Sequence, residues 1–146
     1  MSAIDVANQW MAASQSGDFQ GAASLLSDDM IFEGPVPQPV GKAEFTGLMA
    51  ALVAGIPDWN FNPSDMSEQG DDVYVTNNIT GTHTGTLNLP MLPGPIAPTG
   101  KSISLPAEPS VITVRNGQIT HINVESNPQG GVMGILAQIG VQMPSM

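Results

Sequence analysis

Hydrophobic and polar residues alternate most clearly between Val73 and Leu87. This alternation predicts a long β-strand, since successive side chains of a strand point to opposite faces. One face carries His83 among aliphatic residues, with Gly81 and Gly85 on either side of it. Glycine inside a strand marks a bend or a close approach. The pattern therefore predicts a pocket around His83, against the alternative that His83 is an ordinary buried core residue.

Four segments carry hydrophobic patterns typical of helices, namely residues 3–16, 19–26, 43–55 and 132–139. Ser2 and Asp5 resemble a capping box at the start of the first helix, and Gly17 ends it. The third segment has the strongest signal because its hydrophobic residues recur at three- and four-residue spacing. A stripe of this width requires a large apolar partner, such as a curved sheet.

The remaining strands are predicted at residues 30–33, 59–67, 102–114 and 119–126. Asn116 and Gly117 predict a tight hairpin before the last strand, whereas Pro106 and Pro109 predict a bulge or an edge near Glu108. Helices come first, antiparallel strands follow, and one helix ends the chain. This order indicates an α+β fold, with helices on one face of a strongly bent sheet, in a single domain over residues 1–146.

The composition narrows the classes of partner. Charged residues make up 11% of the chain, and 13 acidic residues against 3 basic ones give a formal net charge of −10. This balance argues against nucleic acid and anionic membrane surfaces, because lysine and arginine dominate binding to both. The sequence shows neither an apolar run of membrane-spanning length nor a signal peptide, so we expect a cytoplasmic protein.

No cofactor or metal is expected. The chain has no cysteine, and its two histidines lack the clustered carboxylates of a metal site. Phosphate-binding loops and the Gly-Xaa-Ser-Xaa-Gly nucleophile motif are also missing from the sequence. Chemistry in this chain is therefore expected to depend on carboxylates and histidine.

Five short motifs follow one another along the chain: Ile56-Pro57-Asp58, Gly81-Thr82-His83-Thr84-Gly85, Pro98-Thr99-Gly100-Lys101, Asn116-Gly117-Gln118-Ile119 and Gln138-Ile139-Gly140. In this order they resemble the SnoaL-like polyketide cyclase family, within the nuclear-transport-factor-like (cystatin-like) α+β superfamily. The resemblance implies a cone-shaped, strongly bent antiparallel sheet, with N-terminal helices on its concave side and a short C-terminal helix. It also implies a hydrophobic pocket and a homodimer.

The resemblance also directs attention to the last strand. Family cyclases carry a tryptophan there and, four residues later, an aspartate that acts as general acid and base. The corresponding positions are Ile122 and Ser126, so Glu125 is the nearest carboxylate. Our hypothesis makes Glu125 the base that removes a proton beside a carbonyl, with His83 as donor or partner. Asp58, at the expected pocket mouth, is a third catalytic candidate.

The expected ligand is a small apolar molecule that contains a carbonyl group. Its predicted binding residues, besides those two last-strand positions, are Trp10, Phe45, Met49 and Trp59. A cyclase or isomerase is one interpretation, and a pocket that binds its ligand without catalysis is the alternative. A third alternative is a dimeric interaction domain whose cone is filled by its own methionines, of which the chain has 9.

Overall fold

The computed structural model describes residues 2–34, 38–89, 94–125 and 130–141 of the chain. Four helices and seven strands lie within these ranges. In chain order they are α1 (Ala3–Ser16), α2 (Phe19–Ser24), β1 (Leu26–Glu33), α3 (Lys42–Gly55), β2 (Ser64–Gln69), β3 (Asp72–Asn77), β4 (Thr80–Thr82), β5 (Ser102–Ser104), β6 (Glu108–Arg115), β7 (Gln118–Val124) and α4 (Gly131–Gln138).

Local capping explains where the first two helices begin and end. The hydroxyl of Ser2 accepts a hydrogen bond from the backbone N–H of Asp5 at 3.3 Å, and Gly17 ends α1 in the left-handed conformation with φ of 83°. Asp18 caps α2 by accepting from the N–H of Gly21 at 2.9 Å. The four predicted helices are confirmed, with boundaries that differ by at most about two residues.

The central sheet has five strands in the order β1-β7-β6-β3-β2. Three of its strand pairs are antiparallel, as predicted, but β1 runs parallel to β7. A tight hairpin forces its two strands to be antiparallel, and β1 and β7 are not joined by one. The prediction of a wholly antiparallel sheet is therefore corrected at this edge.

The strand predicted over residues 73–87 is divided between two sheets. β3 ends at Asn77 in the central sheet, whereas β4 pairs with β5 in a separate two-stranded sheet. His83 follows β4, and its backbone bonds to Lys101 and Gly100. The strand predicted over residues 102–114 is interrupted between β5 and β6, at Pro106. The bulge or edge predicted near Glu108 is wrong, because Pro109 lies within the central strand β6, in regular register with β3.

Trp59 and Phe61 precede β2 instead of lying in it, because Asn62 leaves the extended conformation with φ of 43°. An isolated bridge between Asn60 and Thr80 holds this segment, and both rings are buried. α1 packs across β2, β3, β6 and β7, and α3 packs against β1. The fold is therefore the predicted α+β class, a curved sheet with helices against it. None of the helices described is long and apolar enough to cross a membrane.

Candidate functional site

A cavity of about 80 Å³ lies between the central sheet and helices α1, α3 and α4. Trp10 of α1 and Phe45 and Met49 of α3 form one wall, while Val132 and Ile135 of α4 form another. A water molecule requires roughly 10–15 Å³ of such space. The cavity is therefore large enough for several waters or for a small organic group.

Five aromatic rings that line the cavity touch one another in sequence. Phe32 stacks on Phe45 with ring centroids 4.5 Å apart, and Phe45 stacks on Trp10 at 5.5 Å. Phe61 lies 5.6 Å from Trp10 and meets Trp59 edge to face at 5.8 Å. Such rings bury large apolar area and favour stacked or edge-on contact with another ring. The wall they form suits a flat, conjugated ligand.

Glu108 brings a carboxyl group to this apolar cavity. It is 5% exposed, and its Oε1 accepts a hydrogen bond from the backbone N–H of Gly131, the first residue of α4, at 3.1 Å. Burial raises the pKa of Glu108 because it disfavours the charged form, and the N–H of Gly131 opposes this in part. Glu108 is the only acidic or basic side chain among the described residues that line the cavity.

Two other polar groups of the cavity wall are left without a hydrogen-bond partner. Trp59 Nε1, a donor, and Asn77 Oδ1, an acceptor, are buried and bond to none of the described residues. A buried polar atom without a partner is costly and is uncommon in folded proteins. These two atoms are therefore candidates for contact with a ligand.

His83 lies elsewhere. It is fully buried but does not line the cavity. Its Nδ1 accepts from the backbone N–H of Thr99 at 3.2 Å and faces the Thr99 hydroxyl at 2.9 Å. These contacts assign the proton of the neutral ring to Nε2, which has no partner among the described residues. Burial lowers the pKa of His83.

The glycines beside His83 do not open a pocket. A Cβ atom at Gly81 would overlap the side chain of Ile56, and one at Gly85 would overlap the carbonyl oxygen of Ala54. The C-terminal end of α3 therefore fills the space that these glycines leave. The predicted pocket around His83 therefore gains no support from these glycines, because they serve the close approach of a helix.

Asp58 is exposed and does not line the cavity. Its carboxylate accepts from the backbone N–H of Thr82 at 2.6 Å and from the Thr82 hydroxyl at 2.9 Å. The N–H of Thr82 is the main cause of the lowered pKa of Asp58. Asp58 thus ties the turn after α3 to β4, and its predicted catalytic role has no geometric support here.

Alternation along β7 separates the remaining candidates. Ile122 and Val124 face the cavity, while Glu125 is exposed and lines a shallow groove with Asp65 and Tyr74. The predicted general base therefore lies away from the cavity. Ser126 falls outside the described residues. The other predicted ligand-binding residues line the cavity, and their role stays a prediction: Trp10, Phe45, Met49, Trp59 and Ile122.

Glu108 was not among the predicted site residues, although the sequence holds a signal for it. Glu108, Ser110, Ile112 and Val114 alternate along β6 and are all buried. The same alternation is visible in the sequence once Pro109 is recognised as an outward-facing position. In the described residues, no three acidic or histidine side chains are grouped to hold a metal ion.

Comparison with known proteins agrees with this architecture. The sequence profile of the SnoaL-like domain matches residues 7–122. No match is found among curated proteins.

Solved structures share the whole fold at low sequence identity. IdmH, a candidate polyketide cyclase from Streptomyces antibioticus, is 23% identical, with 97% of this chain and 100% of that chain covered and a TM-score of 0.73. A candidate SnoaL-like polyketide cyclase from Jannaschia sp. CCS1 is 14% identical, with coverage of 97% and 93% and a TM-score of 0.73. A cystatin-fold protein from Novosphingobium aromaticivorans is 18% identical, with coverage of 85% and 97% and a TM-score of 0.63.

Proposed function

Because this chain belongs to the SnoaL-like domain family, we propose that its cavity binds a small, flat, largely apolar molecule with a carbonyl group. We further propose that Glu108 exchanges a proton with this molecule, as in a cyclase or an isomerase. The five touching aromatic rings support the shape of the ligand, and Trp59 Nε1 is a donor that is free, among the described residues, to bind its carbonyl oxygen.

One observation carries the proposal, namely a buried carboxyl group in a cavity that is lined mainly by apolar side chains. Burial raises the pKa of Glu108 and so makes its carboxylate a stronger base. The carboxylate takes a proton from the carbon beside the carbonyl, and the bonding electrons move to the carbonyl oxygen. The N–H of Trp59 stabilises the resulting enolate, whose carbon then accepts a proton or attacks a second carbonyl.

Exchange of carbon-bound protons tests this function without knowledge of the natural substrate. We would use 2-cyclopentenone, a small, flat, conjugated ketone whose size suits a cavity of about 80 Å³, and follow loss of its α-protons in D₂O by NMR. Quenching of Trp10 and Trp59 fluorescence reports its binding. Glu108→Gln is expected to lower the enzyme-dependent exchange rate by at least about 100-fold, with binding retained, because general acid–base catalysis contributes 10²–10⁴-fold.

Matched carboxylate-to-amide variants make the result specific. Glu44→Gln, at an exposed position in the first turn of α3, is expected to exchange like the wild type. Unchanged exchange in Glu108→Gln would remove Glu108 from the mechanism, and loss of exchange in Glu125→Gln would instead support the assignment made from the sequence. No quenching by 2-cyclopentenone would contradict the ligand class.

A non-catalytic binding module is the second candidate function. Glu108 already has a structural partner in Gly131, so its carboxylate also serves as a cap for α4. In that case the wild type binds the ketone but does not exchange its protons. A cone filled by methionines has less support, because Met49 is the only methionine among the described lining residues. The homodimer stays a prediction, which sedimentation equilibrium tests.

A further inference from the structure

Asn77 and Glu108 lie next to each other on two neighbouring strands of the central sheet. They are paired residues in the antiparallel register of β3 and β6, and both line the cavity. Asn77 is 8% exposed and Glu108 is 5% exposed. Directly opposed residues of such a pair have Cβ atoms roughly 4.5–5.5 Å apart. The amide and the carboxyl group therefore lie side by side on the concave face.

Hydrogen bonds around this pair leave one acceptor unsatisfied. Asn77 Oδ1 has no partner among the described residues. The hydroxyl of Ser110, the next inward residue of β6, donates to the backbone oxygen of Glu108 at 3.2 Å. Trp59 Nε1 has no partner and so does not donate to Asn77. The group that β6 presents directly opposite Asn77 is the carboxyl group of Glu108, which becomes a donor when it is neutral.

We propose that Asn77 is a positioning residue whose Oδ1 accepts the O–H of neutral Glu108. The carboxyl group then uses both oxygens, since Oε1 stays on the N–H of Gly131 and Oε2 carries the proton toward Asn77. The use of this arrangement rests on the proposed function, because Asn77 would stabilise the neutral carboxyl group that forms once the Glu108 carboxylate has taken a proton from the ligand. Asn77 itself does not react.

Titration of Glu108 in ligand-free protein tests the inference. The carboxyl carbon of Glu108 is followed by NMR in protein labelled with ¹³C-glutamate, and Glu108→Gln assigns its signal. In Asn77→Leu, loss of the acceptor is expected to increase the acid-dissociation constant of Glu108 roughly tenfold, from the usual strength of such a hydrogen bond. The described lining residues contain no other titratable group to confuse the signal.

The direction of the change decides between explanations. Leucine in place of Asn77 makes the surroundings of Glu108 less polar, and this effect alone would decrease the acid-dissociation constant of Glu108. A decrease would also follow if the Asn77 amide donated to a charged Glu108. An unchanged or smaller constant therefore overturns the inference. Thr76→Val, at the neighbouring position on the other face of β3, is the matched control and is expected to leave the constant unchanged.

A wild-type measurement covers the case in which Asn77→Leu does not fold. The side-chain amide signals of Asn77 are expected to shift with the same midpoint as the Glu108 carboxyl carbon. Amide signals that do not respond would overturn the inference. Neither of these NMR measurements uses a ligand, so they test the hydrogen bond between Asn77 and Glu108 independently of the proposed function. If they fail, the proton-exchange test of Glu108 is unaffected. If the proton-exchange test fails, the hydrogen bond is unaffected.

Discussion

At the scale of single residues, His83 illustrates how burial couples protonation to stability. The imidazole is fully buried, and its Nδ1 is occupied by Thr99. A charged ring would lose its hydration, and the backbone of Gly85 compensates for this loss only in part. The pKa of His83 is therefore lowered from 6.5 by burial.

This lowered pKa predicts a loss of stability in mild acid. Above about pH 6.5 His83 is neutral in both folded and unfolded chains, and its favourable contribution is fully present. As the pH falls toward the folded-state pKa, the unfolded chain takes up a proton that the folded chain does not, so the free energy of unfolding decreases. His83→Gln is expected to remove this contribution to the pH dependence of the free energy of unfolding. The contribution amounts to at most about 1.4 kcal/mol per pH unit.

Urea unfolding at several values between pH 7.5 and pH 5 measures the effect. The slope with pH is the readout, because His83→Gln also changes the overall stability. His121→Gln, which replaces the other histidine of the chain, is the control that keeps His83 in place. Parallel curves for the wild type and His83→Gln would contradict the prediction.

Residue positions were predictable where a local pattern defines a face. Helical spacing places Phe45 and Met49 on one side of α3, and strand alternation places Ile122 inward on β7. Alternation also places His83 inward, but it does not tell whether a ligand or a helix occupies that side. Glu108 was missed because the two prolines around it obscure the alternation of β6.

At the scale of elements, the close approach of α3 to the segment after β4 depends on glycine. A Cβ atom at Gly85 would overlap the carbonyl oxygen of Ala54, a backbone atom that a rotamer change does not move. Gly85→Ala is therefore expected to reduce the free energy of unfolding by about 1–3 kcal/mol, the usual cost of overpacking. Chemical denaturation measures it.

Gly47 offers a matched control within α3 itself. An added Cβ atom there meets nothing within 4 Å. Gly47→Ala is expected to raise the free energy of unfolding by about 0.5–1 kcal/mol, because glycine is a poor helix former. Equal effects of the two substitutions would show that contact with α3 is not what constrains Gly85.

Helix boundaries and the last hairpin were predictable because their signals are local. Ser2 and Gly17 bound α1, and Asn116 and Gly117 form the turn with φ of 54° and 76°. The break between β3 and β4 was not predictable, since the chain leaves one sheet for another without a proline or glycine at Asn78 and Ile79. The parallel pairing of β1 with β7 likewise depends on distant segments.

At the scale of the whole molecule, acidic residues greatly outnumber basic ones. The chain carries a formal net charge of −10. Its described lysine and arginine pairs, Lys42 with Asp28 at 3.2 Å and Arg115 with Asp71 at 3.6 Å, have exposed acidic partners. Exposed pairs of this kind contribute little to stability. Repulsion among the acidic groups is therefore expected to outweigh these attractions in the folded state.

Screening by salt is thus expected to stabilise the protein. The Debye length falls from about 30 Å at 0.01 M to about 8 Å at 0.15 M, which weakens long-range repulsion across the surface. The melting temperature at pH 7.5 should rise over this range of NaCl. The rise in melting temperature should be smaller in the double variant Asp65→Asn, Glu125→Gln. This variant neutralises two exposed carboxylates of one groove. A melting temperature that falls with salt would mean that the few ion pairs outweigh the excess of negative charge.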